Sequence, residues 1–346
     1  MITHYAPGDS ILRKLGIDWA VIGVHIFFVL SGFLITKLLS EKYFATDRFM
    51  AGFAAFLVAR TVRIIPLAFF ALAVVALLST EPLPKGFFEY NLTFTSNIYT
   101  ARTGEWFPDV GHYWSLAVEM QFYLIFPFFV WAFRRRLLPA LIIATAALYL
   151  LQEVVARYSG FANPGFLLTG RADAFLLGGI LFCMTKRPDF AFFAKMALAF
   201  GCTVYVGQSF GREFLQTSAF ISQMPIANLL FAGLVGVAML NGSVVDRVFS
   251  NHILVHFGKV SYGIYIWHPI MWLVYPFLNN ATHGAISRHV SLILLLVLLT
   301  IGFAEASWHL FEKQLNTIGH RWSSKILKGS HVAKNDASDF PTQPAA

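Results

Sequence analysis

Runs of apolar residues as long as a bilayer is thick recur along this chain. They lie near residues 18–39, 53–78, 114–133, 137–153, 166–184, 191–209, 220–240, 258–278 and 289–311. A helix needs about 20 such residues to cross the hydrocarbon core. Lipid offers no partner for backbone N–H and C=O groups, so each segment must bond within itself, which selects helices. The runs predict an all-α, polytopic bundle of about nine transmembrane helices. Composition agrees: 57% of the 346 residues are hydrophobic and 13% are charged, whereas a soluble domain carries about a quarter charged residues.

The net charge of +8 points to the membrane and not to nucleic acid, because the basic residues sit at the ends of apolar segments. With the loop after the first span placed inside, most of the 26 Lys and Arg residues fall on inside loops and the tail, as cytoplasmic loops require. This predicts an inner-membrane, multi-pass protein with its N-terminus outside and its C-terminus in the cytoplasm. Residues 1–10 carry neither the basic start nor the apolar run of a signal peptide. An odd number of spans that begins outside then calls for one more helix ahead of Met1, making about ten. The two cysteines cannot build a disulfide framework, and no Cys/His spacing suggests a metal site. Residues 320–346 are polar and read as a disordered cytoplasmic tail. The largest outside loop, about 80–113, is too short for a separate enzyme module.

Glu119 breaks the third run, HYWSLAVEMQFYLIFP at 112–127. An ionisable side chain near the bilayer centre costs roughly 2.5–3.5 kcal/mol, so such groups turn toward protein or a wet cavity. Tyr113, Trp114, Gln121 and Tyr123 around it read as a pocket wall; a structural interhelical bond is the plainer alternative. In GVHIFFVLSGFLIT, His25 and the pair Ser31-Gly32 mark either close helix packing or the wall of a substrate channel. Arg60 and Arg63 stand one turn apart on one helical face, at the cytoplasmic end of their span. Two guanidiniums on one face can grip phosphate bidentately or simply anchor the helix. Pro66 follows and predicts a kink. Arg171 and Asp173 in GRADAFLLGGILF form either a self-satisfied pair or part of a site. His268, with Tyr265 and Trp267, lies near the outer end of its span, where aromatic residues are ordinary anchors.

In order, GVHIFFVLSGFLIT, RTVRIIP, HYWSLAVEMQFYLIFP, GRADAFLLGGILF, FGKVSYGIYIWHPI and WHLFEKQLNTIG resemble the acyltransferase-3 family of multispanning membrane O-acyltransferases. The likeness covers about residues 23–319. It implies that residues 1–319 form a membrane acyltransferase domain. The donor would be acyl-CoA from the cytoplasm, with acetyl the default group, and no cofactor would be permanently bound. The acceptor would be a glycan or lipid-linked sugar at the outer face, served directly or through a separate extracytoplasmic transferase or esterase. His4 looks like the family's catalytic histidine. The arginine eleven positions before that histidine, and the helix carrying it, would then precede Met1, so the chain is expected to start at an internal methionine or to come from a truncated gene. The family usually has an acidic residue where His25 stands, and often a second carboxylate where Met120 stands. His25 is thus a second candidate for the base, and Glu119 is the one carboxylate of its motif.

An imidazole is suited to take a hydroxyl proton near neutral pH. His4 would act as base, with Glu119 or Asp173 orienting it, while Arg60 and Arg63 hold the phosphates of coenzyme A. Two other classes compete. A proton-coupled carrier would also explain an intramembrane Glu119 and Asp173, although no internal repeat supports it. An inactive, shortened family member is the third.

Overall fold

The computed structural model describes residues 19–45, 47–210, 223–240, 244–281 and 290–338, and among them every regular element is helical. In chain order the longer helices are α1 (Trp19–Leu38), α2 (Phe49–Leu78), α5 (Tyr113–Phe133), α6 (Leu137–Tyr158), α7 (Ala172–Met184), α8 (Phe190–Phe210), α9 (Gln223–Ala238), α11 (His252–Ile270), α13 (Val290–Ser307) and α14 (Lys313–Ser338). Short helices α3 (Phe87–Leu92), α4 (Ser96–Thr103), α10 (Val244–Phe249) and α12 (Tyr275–Ala281) lie between them. Two π turns, Leu39–Tyr43 and Trp308–Glu312, extend α1 and join α13 to α14.

Four helical stretches are long and apolar enough to cross a membrane: Ile22–Tyr43, Phe49–Leu78, Tyr113–Tyr158 and Leu292–Gly329. The third contains both α5 and α6, joined by a tight turn at Arg134–Arg136. Ala172–Met184, Phe190–Val204 and Asn228–Ala238 are apolar but shorter. By this measure, among the described residues, the expected count of about nine spans is not reached.

Many of the basic residues gather at one end of the bundle. There Arg134 pairs with Asp47 at 2.7 Å and stacks on Trp131, and Lys186 pairs with Glu41 at 3.3 Å. The start of α5 and the loop before α7 lie at the opposite end, where the Asn163 amide donates to the Ala101 carbonyl. The segment between α2 and α5 is fastened there by a reciprocal amide pair. Asn97 and Gln121 each donate to the other, at 3.2 and 2.8 Å. Gln121 therefore does not belong to a pocket wall.

Helices α1 and α7 touch backbone to backbone. A Cβ on Gly32 would lie 2.0 Å from the Phe175 carbonyl oxygen, and one on Gly178 would lie 2.1 Å from that of Val29. Such small-residue contacts let helices approach without a water-driven hydrophobic effect. Phe175 then stacks between Phe28 and Phe122, with centroids 4.6 and 4.2 Å away.

The stretch from residue 320, expected as a disordered tail, continues α14 to Ser338. Its inward face repeats at helical spacing: Leu315, buried Gly319, buried Ser323, then Ile326 and Leu327. Gly319 lies against α2 at Val62, while Lys313, His320, Arg321, Lys325 and Lys328 point outward. The polar composition hid an amphipathic helix, whose stability comes from packing one face.

Candidate active site: an interhelical slot

A cavity of about 300 Å³ opens between α1, α2, α5 and α11. On α5 its wall is the stripe Ser115, Glu119 and Tyr123, four residues apart and so stacked along one face over about 12 Å. Helix α1 contributes Ser31, α2 contributes Arg60 and Arg63, and α11 contributes Tyr262 and Tyr265. The slot thus runs from a pair of guanidiniums, past a carboxylate, to a pair of hydroxyls.

Glu119 is buried at the middle of this slot. The Ser31 hydroxyl donates to its Oε1 at 3.1 Å, and the Tyr123 hydroxyl donates to the same oxygen. Its other oxygen has no hydrogen-bond partner among the described residues. A buried carboxylate is tolerated where fixed donors replace water, and here the donors come from two helices. The Ser31-Gly32 pair shows the close helix packing offered by the sequence, and Ser31 also lines the cavity. Gly32 packs α1 on α7, and Ser31 holds Glu119.

Arg60 and Arg63 lie within α2 and not at its end. Arg60 is eleven residues into the 30-residue α2, roughly 16 Å from its first residue, so the pair does not sit at the end of the helix. Arg60 is half-buried, with its guanidinium 5.7 Å from the Phe56 ring and 5.8 Å from the Tyr123 ring. Its Nε has no partner, and neither arginine forms an ion pair with a carboxylate among the described residues. These are donors with capacity to spare.

Pro66 lies inside α2, which runs as helix from Phe49 to Leu78. Proline cannot donate to the carbonyl one turn earlier. Tyrosine hydroxyls from two neighbouring helices bond to carbonyls on either side of it. Tyr262 donates to the Ile64 carbonyl at 2.7 Å, and Tyr113 donates to that of Ala68 at 2.8 Å. Tyr113 is therefore a brace behind the slot and not part of its lining. At the far end, Tyr265 donates to the His112 carbonyl, and its oxygen lies 2.7 Å from the Ser115 hydroxyl. His268 is buried beside them, with Nδ1 2.8 Å from the Tyr265 carbonyl oxygen and its ring 5.4 Å from that of His112.

His25, Arg171 and Asp173 form a second cluster that does not line the slot. Arg171 and Asp173 make no direct ion pair, contrary to the simple pairing the sequence suggested. Arg171 Nη1 instead lies 2.8 Å from His25 Nε2. His25 Nδ1 lies 2.5 Å from Asn228 Oδ1, and Asn228 Nδ2 donates to Asp173 Oδ2 at 2.7 Å. The Arg171 guanidinium rests against Trp114 and Phe166, 5.3 and 5.6 Å from their ring centres. Trp114 is thus a support for Arg171. His4 lies outside the described residues.

Two members escaped the sequence reading. Asn228 is a lone amide in an apolar run, the kind of intrusion that should have marked it. Glu312 is buried in the π turn, accepts from Ser307 at 2.6 Å, and lies within electrostatic reach of Arg63. Such turns often accompany functional sites. Among the described residues no cluster of potential metal ligands occurs.

Comparison with known proteins identifies the family. The profile of an acyltransferase domain, that of the acyltransferase-3 family, matches residues 1–308. The chain is 28% identical over 349 residues to O-acetyltransferase OatA of Staphylococcus aureus, covering 92% of this chain and 56% of that protein. It is 29% identical over 361 residues to peptidoglycan O-acetyltransferase OatA of Listeria monocytogenes, covering 91% and 56%. The chain thus spans just over half the length of the curated relatives it matches. No solved structure matches it. With its family profile covering most of its length, this chain belongs to the acyltransferase-3 family.

Proposed function

We propose that this protein is a membrane-embedded O-acyltransferase that moves an acetyl group from cytoplasmic acetyl-CoA to a hydroxyl of a cell-envelope glycan. The observation that carries this reading is the slot itself. It has two guanidiniums without carboxylate partners among the described residues at one end, a buried carboxylate in the middle and hydroxyls at the other. Arg60 and Arg63 would hold the phosphates of coenzyme A, as planar guanidiniums do bidentately. The pantetheine arm spans about half a bilayer, enough to carry the thioester toward Glu119. The excess of basic residues at the Arg134–Arg136 end supports placing that end, and the C-terminus, in the cytoplasm of an inner-membrane protein.

In the proposed step a base takes the acceptor's hydroxyl proton and the oxygen attacks the thioester carbonyl. The carbon–sulfur bond then breaks, and the coenzyme A thiolate leaves and takes up the proton. His4 is the proposed base, and Glu119 with Ser31 and Tyr123 would orient the reacting groups. His268 and Tyr265 would border the acceptor's entry. The names of the relatives favour a peptidoglycan-like sugar as acceptor, and a separate extracytoplasmic partner could complete delivery. Membranes containing the protein, supplied with acetyl-CoA labelled in the acetyl group, test the reading. Label should appear on glycan or lipid-linked sugar. Solute uptake without label transfer would indicate a carrier instead.

A further inference from the structure

The cluster behind the slot is a directed chain of hydrogen bonds whose proton positions follow from chemistry alone. A guanidinium can only donate, so His25 Nε2, 2.8 Å from Arg171 Nη1, must be the acceptor. The imidazole proton is therefore on Nδ1, pointing at Asn228 Oδ1 at 2.5 Å. The same amide turns its Nδ2 to Asp173 at 2.7 Å. Cation and anion end up joined through two neutral groups that come from α1 and α9. All four residues are buried, with exposures of 7% for Arg171, 1% for His25, 0% for Asn228 and 1% for Asp173.

This chain bears on the slot through two helices. His25 and Ser31 are both on α1, six residues apart, so a chain that fixes the rotation of α1 at His25 also fixes Ser31 toward Glu119. At its other end Arg171 lies on Trp114, the neighbour of Ser115 on the slot wall. We infer that Asn228 is a positioning residue for acyl transfer: it holds His25 in one tautomer, and His25 serves as the acceptor for Arg171, not as the base of the reaction. Without the Asn228 side-chain amide, the His25 Nδ1 proton and Asp173 Oδ2 lose these partners together in a buried place, where unmet polar groups are costly.

This inference rests on the acyltransfer reading, and its test keeps the two apart. Full-length protein in bilayers is compared as wild type, His25→Gln, His25→Leu and Asn228→Leu. A glutamine amide can accept from Arg171 and donate to Asn228, but it cannot serve as a base. Label transfer should stay within about threefold of wild type in His25→Gln. It should fall about tenfold or more in His25→Leu and Asn228→Leu, with donor KM unchanged, because Arg60 and Arg63 are elsewhere. Nitrogen-15 NMR of histidine-labelled protein should give a His25 signal, identified by its loss in His25→Gln, with the proton on Nδ1. Two results would overturn the inference. One is a His25→Gln protein as inactive as His25→Leu at unchanged folded yield; the other is a proton found on Nε2. If wild type transfers no label while the Nδ1 signal is present, the acyltransfer reading falls and the hydrogen-bonded chain stands. Should Asn228→Leu fail to fold, His25→Gln and the NMR signal still decide.

Discussion

The slot and the chain behind it are built from similar groups, yet they are finished differently. Around Glu119 the polar groups line a cavity, and among the described residues its second carboxylate oxygen and the Arg60 Nε have no hydrogen-bond partner. Around His25 the groups bond to one another in a directed series, with Arg171 Nε and Asp173 Oδ1 left without partners among the described residues. Burying polar groups is costly in both places. What differs is what lies beside the groups. The chain behind the slot is packed within protein, which gives a fixed scaffold; the slot groups line a cavity, as a ligand site requires.

Substitutions at four positions sharpen this contrast, the largest effect first. Glu119→Ala removes the acceptor of two buried hydroxyls and the one carboxylate lining the slot among the described residues. Label transfer should drop by about 100-fold or more, and near-normal transfer would break the claim that the slot is where reaction occurs. Arg63→Ala should raise donor KM by about 10- to 100-fold, with Arg63→Lys in between because an ammonium lacks the fork. Normal donor saturation in both would remove the phosphate role. Gly178→Val forces α1 and α7 apart at the Val29 carbonyl and should cost about 1–3 kcal/mol, read as a lower melting temperature of the purified protein. Glu153→Gln breaks an exposed pair with Arg157, 2.6 Å apart and one turn along α6. It should change stability by about 0.3–0.5 kcal/mol and leave transfer untouched. A large effect there would mean that polar contacts far from the slot matter as much as those within it.

The slot was more legible in the sequence than the chain behind it, for a physical reason. A carboxylate or an arginine pair inside an apolar run is conspicuous because the cost of putting it there is local. Glu119, Arg60 and Arg63 therefore stood out, and the structure brings all three to one cavity. His25 was visible too, but its role depends on Asn228, 203 residues away in sequence, and no local pattern encodes that meeting. The depth of the arginines was misjudged because apolarity marks where a span is, not where its helix begins: α2 starts at Phe49. The amphipathic α14 was overlooked for the opposite reason. Its composition is polar, and only the spacing of Leu315, Gly319, Ser323 and Ile326 records the face that packs.

The π turn at Trp308–Glu312 carries a consequence for how this chain can vary. Each residue in a helix advances the azimuth by about 100°, and a π turn accommodates one residue more than an α-helical turn does. Deleting a single residue there would let the stretch close to regular α-helix, so that Gly319 and Ser323 keep facing α2. Length changes are ordinarily absorbed in loops, but here a five-residue stretch of continuous helix can absorb one. A one-residue deletion between residues 308 and 312 should therefore disturb the packing of α14 less than the same deletion further along α14, where it would turn lysines toward α2.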